Sequence, residues 1–373
     1  MPTPSAHRPG QDARGRPPLY ITRKFPPSIG GMETLAATVW TALRTTDERS
    51  VLVAHGGSVA LTPLWLPWGV ARLLAHLLRR DVGAVLCGDV ALYALIGPVL
   101  RACRVDHVVM AMGLDVTYDR ALYRRIALPG LRRAPRVLAI SRSTADAVRS
   151  AGVDPGRVVT LRLGLPDPGV TGAERAAARA GLRRDLGVAA DAPVLTTVGR
   201  LVPRKGVAWF TAEVLPSLPP DVHYVVVGDG PDRAAVEAAA ERSGVRGRVH
   251  LLGRVDAAAR DRAMRAADVF VQPNVPVPGD MEGFGLVVLE AAMQGPLVVA
   301  AQLEGLADAV EDGVTGDLLP PRDAAAWIGA LDRLLADPAG LAERAARACA
   351  ACIERSSIEA MGAQIGAELH LGG

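Results

Sequence analysis

The sequence predicts an α/β protein with two domains, each built on a parallel sheet. Short apolar runs alternate with Ala-rich segments of helical spacing from one end of the chain to the other. The runs lack polar alternation, which is typical of strands buried on both faces by helices. The chain has 373 residues, half of them hydrophobic, enough for about two to three domains with sizeable cores.

The first half of the chain contains five apolar runs with helical segments between them. The predicted strands are Leu19–Ile21, Ser50–Ala54, Ala84–Cys87, His107–Ala111 and Arg136–Ile140. The predicted helices are Met32–Leu43, Trp68–Arg80, Ala91–Ala102 and Ser143–Ala151.

The second half repeats the alternation. The predicted strands are Val194–Val198, His223–Val227, Val249–Leu252, Val269–Gln272 and Leu297–Ala300. The predicted helices are Val207–Leu215, Arg233–Ser243, Ala257–Ala267, Leu286–Met293 and Ala324–Leu335.

The turn-rich segment near 165–169 separates the two halves and predicts the domain boundary. We expect a disordered tail over 1–17, an N-terminal domain over 18–168 and a C-terminal domain over 169–355. Residues 356–373 are expected to form a last helix that returns to the N-terminal domain. Ligands of such sheets bind at the carboxyl ends of the strands, so we expect a site in the cleft between the domains.

Charge and cysteine content exclude several classes of function. Lys and Arg number 42 against 39 for Asp and Glu, a weak excess that predicts no nucleic-acid partner. Four cysteines are too few for a disulfide framework at this length. The polar start of the chain does not resemble a signal peptide, and the apolar runs are too short to span a bilayer. We therefore expect a cytoplasmic protein.

The segment Gly199–Gly206, GRLVPRKG, follows a predicted strand and opens a helix. Its two glycines allow close approach of the backbone to a ligand, and the helix start offers unpaired N–H groups. Arg200 and Lys205 add positive charge, which suits a diphosphate. A solvated basic turn explains this motif equally well when it is taken alone.

A second glycine-containing loop lies in the segment 280–291, where the chain turns into a helix at about Leu286. Gly283 and Gly285 leave bare backbone at that turn. The N–H groups of Phe284, Gly285 and Leu286 are therefore predicted to face an anion or hydroxyl groups.

The same segment carries two carboxylates, Glu282 in the loop and Glu290 in the helix. We predict that they accept hydrogen bonds from opposite ends of an extended ligand rich in hydroxyls. Glu290 lies in an otherwise apolar helix, where a charge is costly unless it has a partner. A plain acidic helix cap does not explain the two glycines together with a buried carboxylate.

Three other loops carry weaker signals. The VVVGDGPD sequence ends without the third glycine of a dinucleotide loop, because position 233 is Arg, so a nicotinamide site is rejected. Arg254 follows a strand-ending glycine, where a base-binding backbone and a plain turn are equally plausible. Gly30 and Gly31 open the first helix, and either ligand contact or a simple turn accounts for them.

The motifs GGME, GRLVPRKG, VVVGDGPD, LLGRV and EGFGLVVLEA, in this order, resemble those of the family 4 retaining glycosyltransferases of the GT-B fold. The resemblance covers about residues 18–360. It implies two Rossmann-like domains facing across a cleft, and transfer of a sugar from a nucleotide diphosphate donor to an acceptor with retention. It also implies that no metal and no other cofactor is needed.

The resemblance further implies a role for individual residues. Arg200, Lys205 and Glu282 are the candidate catalytic residues, the first two on the donor diphosphate and Glu282 on the sugar hydroxyls. The implied donor-binding residues are Gly30 and Gly31 at the phosphate, Phe284, Gly285 and Leu286 at the sugar, Glu290 at the ribose, and Arg254 at the base.

One position departs from the family pattern. Met112 stands where these enzymes usually carry a histidine that reaches toward the donor, and Met neither donates a hydrogen bond nor carries a proton. Asp89 and Asp115 remain as polar candidates on the acceptor side. An active transferase with a differently held donor, a slow one, and a nucleotide-sugar binder with little turnover stay open, and the first is favoured.

The acceptor is a small molecule or glycan in the favoured reading, and a membrane lipid in the alternative. Basic, aromatic-flanked stretches at 65–80 and 123–136 could rest on an anionic inner membrane, although ordinary solvated helix faces explain them too. A sugar-nucleotide epimerase can share the two-domain architecture, but the Glu282–Glu290 spacing argues against it.

Overall fold

A computed structural model describes residues 15–28, 30–57, 61–118 and 121–369 of the chain. The strands are β1 (Pro18–Thr22), β2 (Val51–Ala54), β3 (Ala84–Cys87), β4 (Asp106–Ala111), β5 (Val137–Ala139), β6 (Val158–Thr160), β7 (Val194–Val198), β8 (His223–Val227), β9 (Val249–Gly253), β10 (Val269–Gln272), β11 (Leu297–Ala301) and β12 (Asp317–Leu319).

The helices are α1 (Gly31–Thr46), α2 (Thr62–Arg79), α3 (Val90–Ala102), α4 (Leu114–Thr117), α5 (Ala121–Leu131), α6 (Arg142–Ser150), α7 (Gly172–Leu186), α8 (Val207–Glu213), α9 (Arg233–Arg242), α10 (Ala257–Ala266), α11 (Leu286–Gln294), α12 (Leu306–Ala309), α13 (Ala324–Leu335), α14 (Pro338–Arg355) and α15 (Ile358–Glu368).

The chain divides into two compact units. The first consists of the residues up to Gly164 and those from Ser357 onward, and the second of Leu165–Ser356. The second unit therefore begins slightly before the expected boundary at 168/169 and ends one residue beyond 355. Of the expected tail 1–17, residues 1–14 lie outside the described part of the chain.

The first unit contains a six-stranded parallel sheet in the order β2-β1-β3-β4-β5-β6. All residues of β1 and β3 are buried, as expected for strands covered by helices on both faces. Helix α15 packs on α1, where Gly362 allows a close approach: an added Cβ would lie 2.3 Å from the Ala42 carbonyl oxygen.

The second unit contains another six-stranded parallel sheet, in the order β12-β11-β10-β7-β8-β9. The chain leaves β7 in one direction to β8 and β9 and returns on its other side to β10. This reversal opens a crevice at the carboxyl ends of β7 and β10, the usual ligand position in doubly wound sheets. The α/β prediction with two parallel sheets is confirmed.

The sequence patterns missed some short or interrupted elements. Strands β6 and β12 have three residues each, too few for a recognisable apolar run. Helix α2 begins at Thr62 rather than Trp68 and contains Pro67 in its interior, where the missing N–H leaves one i→i−4 hydrogen bond unmade.

Candidate active site in the second unit

The loops that follow β7 and β10 are packed against each other. The Val275 N–H donates to the Arg204 carbonyl at 2.9 Å. Gly206, between a short 3₁₀ turn and α8, has a φ of +66°, and an added Cβ would lie 1.9 Å from the Pro273 carbonyl oxygen. Gly206 therefore lets one loop lie directly on the other, and its predicted close approach to a ligand stays a prediction.

Lys205 and Glu282 meet at this junction. Lys205 Nζ lies 2.5 Å from Glu282 Oε2, and both side chains are almost buried. Asn274 Nδ2 donates to the same oxygen at 3.1 Å, and Arg204 Nε lies 3.6 Å from it. Burial by itself would raise the pKa of Glu282, but the Lys205 ammonium, with Arg204 and Asn274, holds this pKa below its usual value. Glu282 is thus an ionised, nearly buried carboxylate.

Glu304 supports this loop and was not identified from the sequence. Its carboxylate accepts a hydrogen bond from the Glu282 N–H at 2.5 Å. The backbone of Glu304 has a φ of +48°, in the left-handed region. The next residue, Gly305, donates its N–H to the Glu282 carbonyl at 3.3 Å. Only the unusual φ of a non-glycine residue draws attention to Glu304, and a φ is not visible in the sequence.

Helix α11 begins at the loop as predicted. Gly285, its N-cap, has a φ of +79°, and an added Cβ would lie 2.4 Å from Leu306 Cδ2. Within the described residues, the N–H groups of Phe284, Gly285 and Leu286 have no acceptor. These unpaired donors lie at the positive end of the helix dipole, which favours an anion or hydroxyl oxygens there.

Glu290 lies one turn further along α11 and does have the partner that its burial requires. Arg260 Nη1 of α10 is 3.9 Å from Glu290 Oε2. Burial raises the pKa of Glu290, and Arg260 only partly offsets the rise. The sequence predicted the need for a partner but did not identify Arg260.

Arg200 and Arg254 lie in loops at the same sheet edge, and the loop after β8 separates them. Both are exposed, Arg200 after β7 and Arg254 directly after β9. No carboxylate in the described part of the chain forms an ion pair with Arg200. Its guanidinium is therefore available to a ligand, and the assignments of Arg200 and Arg254 to a donor stay predictions.

The glycines predicted as ligand contacts in the first unit begin α1. Gly30 is the N-cap and Gly31 the first residue of that helix. Nearby, Lys24 Nζ lies 3.4 Å from Glu33 Oε1. The structure explains these glycines as a helix start, and their contact with a donor phosphate stays a prediction.

Asp89 is fully buried at the carboxyl end of β3. Its carboxylate accepts hydrogen bonds from Arg23 Nε at 2.9 Å and from the Leu92 N–H at 2.9 Å, so it caps α3. Both contacts are internal to the unit. Asp89 therefore organises the ends of the strands, and an acceptor role for it stays a prediction.

Asp115 plays a similar part beside Met112. Its carboxylate accepts from the Met112 N–H at 2.8 Å and from the Val90 N–H at 3.3 Å. Burial raises the pKa of Asp115 to about 7, and the nearby Asp89 carboxylate adds to the rise. Met112 is buried, and Asp115 sets the path of its backbone.

Within the described residues, no group of three or more His, Cys, Asp or Glu side chains is arranged to hold a metal ion. No helix of that part of the chain is long and apolar enough to cross a membrane.

The chain is similar to known glycosyl transferases. Residues 192–337 match the family described as Glycosyl transferases group 1. The chain is 30% identical over 357 residues to the GDP-mannose-dependent alpha-(1-6)-phosphatidylinositol monomannoside mannosyltransferase of Mycolicibacterium smegmatis, covering 86% of this chain and 89% of that protein. It is 37% identical over 214 residues to a D-inositol 3-phosphate glycosyltransferase of Xylanimonas cellulosilytica, covering 55% of this chain and 49% of that protein.

Among solved structures, the Anabaena protein HepE in complex with UDP and glucose is 22% identical. The match has a TM-score of 0.73 and covers 95% of this chain and 99% of HepE. The two doubly wound sheets therefore have the GT-B fold. With the mycobacterial relative matched over most of both chains, this chain belongs to the group 1 glycosyl transferases, as its motifs predicted.

Proposed function

We propose that the protein transfers a hexose-type sugar from a nucleotide diphosphate donor to an acceptor hydroxyl, with retention of configuration and without a metal. The observation that carries the proposal is the Lys205–Glu282 contact at the carboxyl ends of β7 and β10. It places an ammonium, an ionised carboxylate and the start of α11 at one sheet edge. The name of the mycobacterial relative, which specifies GDP-mannose, supports a nucleotide diphosphate donor.

Departure of the nucleoside diphosphate is the step that these cations assist. The anomeric C–O bond breaks, its electron pair passes to the phosphate oxygen, and an oxocarbenium-like centre develops on the sugar. The acceptor hydroxyl oxygen then bonds to the anomeric carbon, and its proton passes to the departing phosphate oxygen. Arg200 is exposed with its guanidinium uncommitted, and Lys205 keeps two N–H donors beyond the one on Glu282. Preorganised charges of this kind stabilise a leaving diphosphate as a metal ion would elsewhere.

Recognition of the donor falls to the carboxylates and the start of α11. Glu282 is ionised and accepts hydroxyl hydrogen bonds from the sugar, while the N–H groups of Phe284, Gly285 and Leu286 donate to its oxygens. Glu290 accepts from the ribose hydroxyls. Two carboxylates at separate points of one extended ligand orient it and exclude water from the reacting bond.

A thermal-shift screen of nucleotide sugars identifies the donor, because a ligand of the folded state raises its apparent stability. Release of nucleoside diphosphate is then measured in the presence of a panel of acceptors, with and without EDTA. The anomeric configuration of the product is determined by NMR.

We expect Lys205→Ala and Glu290→Ala to weaken donor binding about tenfold or more. Arg242→Ala, an exposed change on α9, serves as the control. Unchanged donor affinity in both site variants, or an inverted product, contradicts the proposal.

A lipid-linked acceptor is the second candidate, and the outer face of α2 favours it. Leu64, Trp68 and Leu78 are 76%, 52% and 83% exposed, and Arg72 lies 5.8 Å from the Trp68 ring. An apolar stripe edged by arginines suits an anionic lipid surface, and the mycobacterial relative is named for a phosphatidylinositol acceptor. The fraction of protein that sediments with anionic vesicles should fall in Leu64→Ser and Trp68→Ser. It should not fall in Leu95→Ser, which replaces an exposed leucine of α3. Absence of vesicle binding by the unmodified protein rules against this candidate.

Met112 motivates the remaining candidate, a nucleotide-sugar binder with little turnover. Such a protein would bind donor without releasing nucleoside diphosphate across the acceptor panel. Met112→His tests the position directly, since the imidazole restores a hydrogen-bonding and titratable group. If turnover and donor preference are both unchanged by Met112→His, the position does not contact the donor.

A further inference from the structure

The second unit contains a cavity at the sheet edge opposite the donor loops. It has a volume of about 400 Å³ and lies between α7 and the start of α14. Pro193 and Asp268, which precede β7 and β10, form its floor, and Leu341 and Ala345 of α14 form an apolar wall. No role in sugar transfer has been assigned to any of these residues.

Three arginines of α7 lie on one face of that helix, beside the cavity. Arg175, Arg179 and Arg183 are spaced four residues apart, so their side chains stack along the helix. Arg183 Nη2 donates to Asp268 at 2.7 Å, and Arg179 also pairs with Asp268. The Val194 N–H donates to the same carboxylate at 2.7 Å, so the hydrogen-bonding capacity of Asp268 is largely used.

Arg175 is left without a carboxylate among the described residues. Its Nε is buried and has no hydrogen-bond partner, and its closest acceptor is the Ala267 carbonyl, 3.5 Å from Nη2. The side chain is held over Gly295, where an added Cβ would be 3.0 Å from Arg175 Cδ. Burial lowers the pKa of Arg175, and the Arg179 charge lowers it further.

The positive charges around the cavity are not fully compensated. Two guanidinium groups, Arg175 and Arg179, line the cavity with two carboxylates, Asp268 and, at the exposed rim, Asp191. Arg183, which lies beside the cavity, also pairs with Asp268, so Asp268 is shared by two of the three arginines. An incompletely paired buried cation is costly, and an anion in the cavity would relieve that cost. The start of α14, at Pro338 on the cavity wall, is capped by the Asp337 carboxylate, which accepts from the Gly340 N–H at 3.0 Å, so the unpaired charge at the cavity is that of Arg175.

We propose that this cavity binds a small organic anion, separately from the donor site. Its phosphate or carboxylate head pairs with Arg175 and Arg179, and its apolar body packs on Leu341, Ala345 and Pro193. Guanidinium groups suit either head because they offer paired N–H donors to planar or tetrahedral oxyanions. An apolar wall and a cationic wall in one cavity select ligands that carry both features.

The test uses the full-length protein and four probes in isothermal titration calorimetry. Phenyl phosphate carries both an anionic head and an apolar body, inorganic phosphate carries the head alone, and benzyl alcohol carries the body alone. Benzoate distinguishes a carboxylate head from a phosphate head. We expect phenyl phosphate or benzoate to bind more tightly than either partial probe. Arg175→Gln should weaken that binding about tenfold or more, because a charged hydrogen bond is lost. Arg184→Gln, an exposed change on the same helix, should not weaken it.

Two further variants keep the result interpretable. Ala342→Trp fills the cavity from an exposed position of α14 and should block binding even if Arg175→Gln disturbs folding. Lys205→Ala removes a donor-site cation and should leave phenyl phosphate binding unchanged. Binding that survives Arg175→Gln and Ala342→Trp but is lost in Lys205→Ala would place the anion in the donor loops and overturn the proposal, as would the absence of binding by all the probes.

Discussion

Lys205 Nζ lies 2.5 Å from Glu282 Oε2, although the two residues are 77 positions apart in the sequence. This pair joins the loop after β7 to the loop after β10, and the ammonium has two further N–H donors. A buried pair of this kind has large consequences when one partner is removed, because the other is left uncompensated.

The pair is therefore expected to couple energetically. Lys205→Met and Glu282→Gln should each lower the free energy of unfolding by about 3–5 kcal/mol, and the double variant should lose less than their sum. Urea unfolding of the four proteins of the cycle measures the coupling. Strict additivity of the two changes would show that the contact contributes little to stability.

Glu304 is expected to position Glu282 through the backbone. Glu304→Ala removes the acceptor of the Glu282 N–H while keeping a side chain at positive φ, and should cost about 1–3 kcal/mol. Glu304→Gly also removes the acceptor but relieves the backbone strain, so it should be the milder change. Urea unfolding and donor titration of both variants test this order. Equal stability in Glu304→Gly and Glu304→Ala would show that the positive φ carries no strain.

Gly206 and Gly187 form a matched comparison, because their φ angles are +66° and +68°. Gly187→Ala meets no atom within 4 Å and should cost only the backbone strain, about 1 kcal/mol. Gly206→Ala brings Cβ against the Pro273 carbonyl oxygen and should cost several times as much. It should also weaken donor binding, because the two loops of the site move apart. Thermal unfolding and donor titration of both variants check this, and a similar effect at the two positions would contradict it.

Asp115 is expected to make stability depend on pH. Its pKa in the folded state is about 7 against an ordinary 3.8, so the folded protein keeps a proton that the unfolded chain releases. Its contribution to stability is therefore present at low pH and falls as the pH rises from about 4 to about 7. Asp115→Asn should remove this contribution, so the stability of the variant relative to the unmodified protein should rise as the pH increases from about 4 to about 7. Asp106→Asn, at the exposed start of β4, is the control. If the difference in unfolding free energy between Asp115→Asn and the unmodified protein does not change with pH, the expectation is wrong.

Much of the architecture was visible in the sequence because it rests on local patterns. Apolar runs at 194–198 and 269–272 mark buried strands, and Gly206 and Gly285 mark loops that allow close approach. The need of Glu290 for a partner followed from its apolar helix. These features depend on spacing within a few residues, which burial and backbone sterics impose directly.

Other features depended on contacts between distant segments. The sequence did not reveal that Glu304 supports Glu282, or that Arg260 is the partner of Glu290. Nor did it reveal that Asp268 pairs with Arg179 and Arg183 of α7 and leaves Arg175 without a carboxylate partner.

The sequence by itself determined the two α/β halves and the two loops that carry the site, because hydrophobic period and glycine placement are local constraints. Only the tertiary structure decided the strand order that brings β7 beside β10, and with it the meeting of Lys205 and Glu282. Strand order and side-chain pairing are settled by packing and charge compensation among segments far apart in the chain, and no local pattern encodes them.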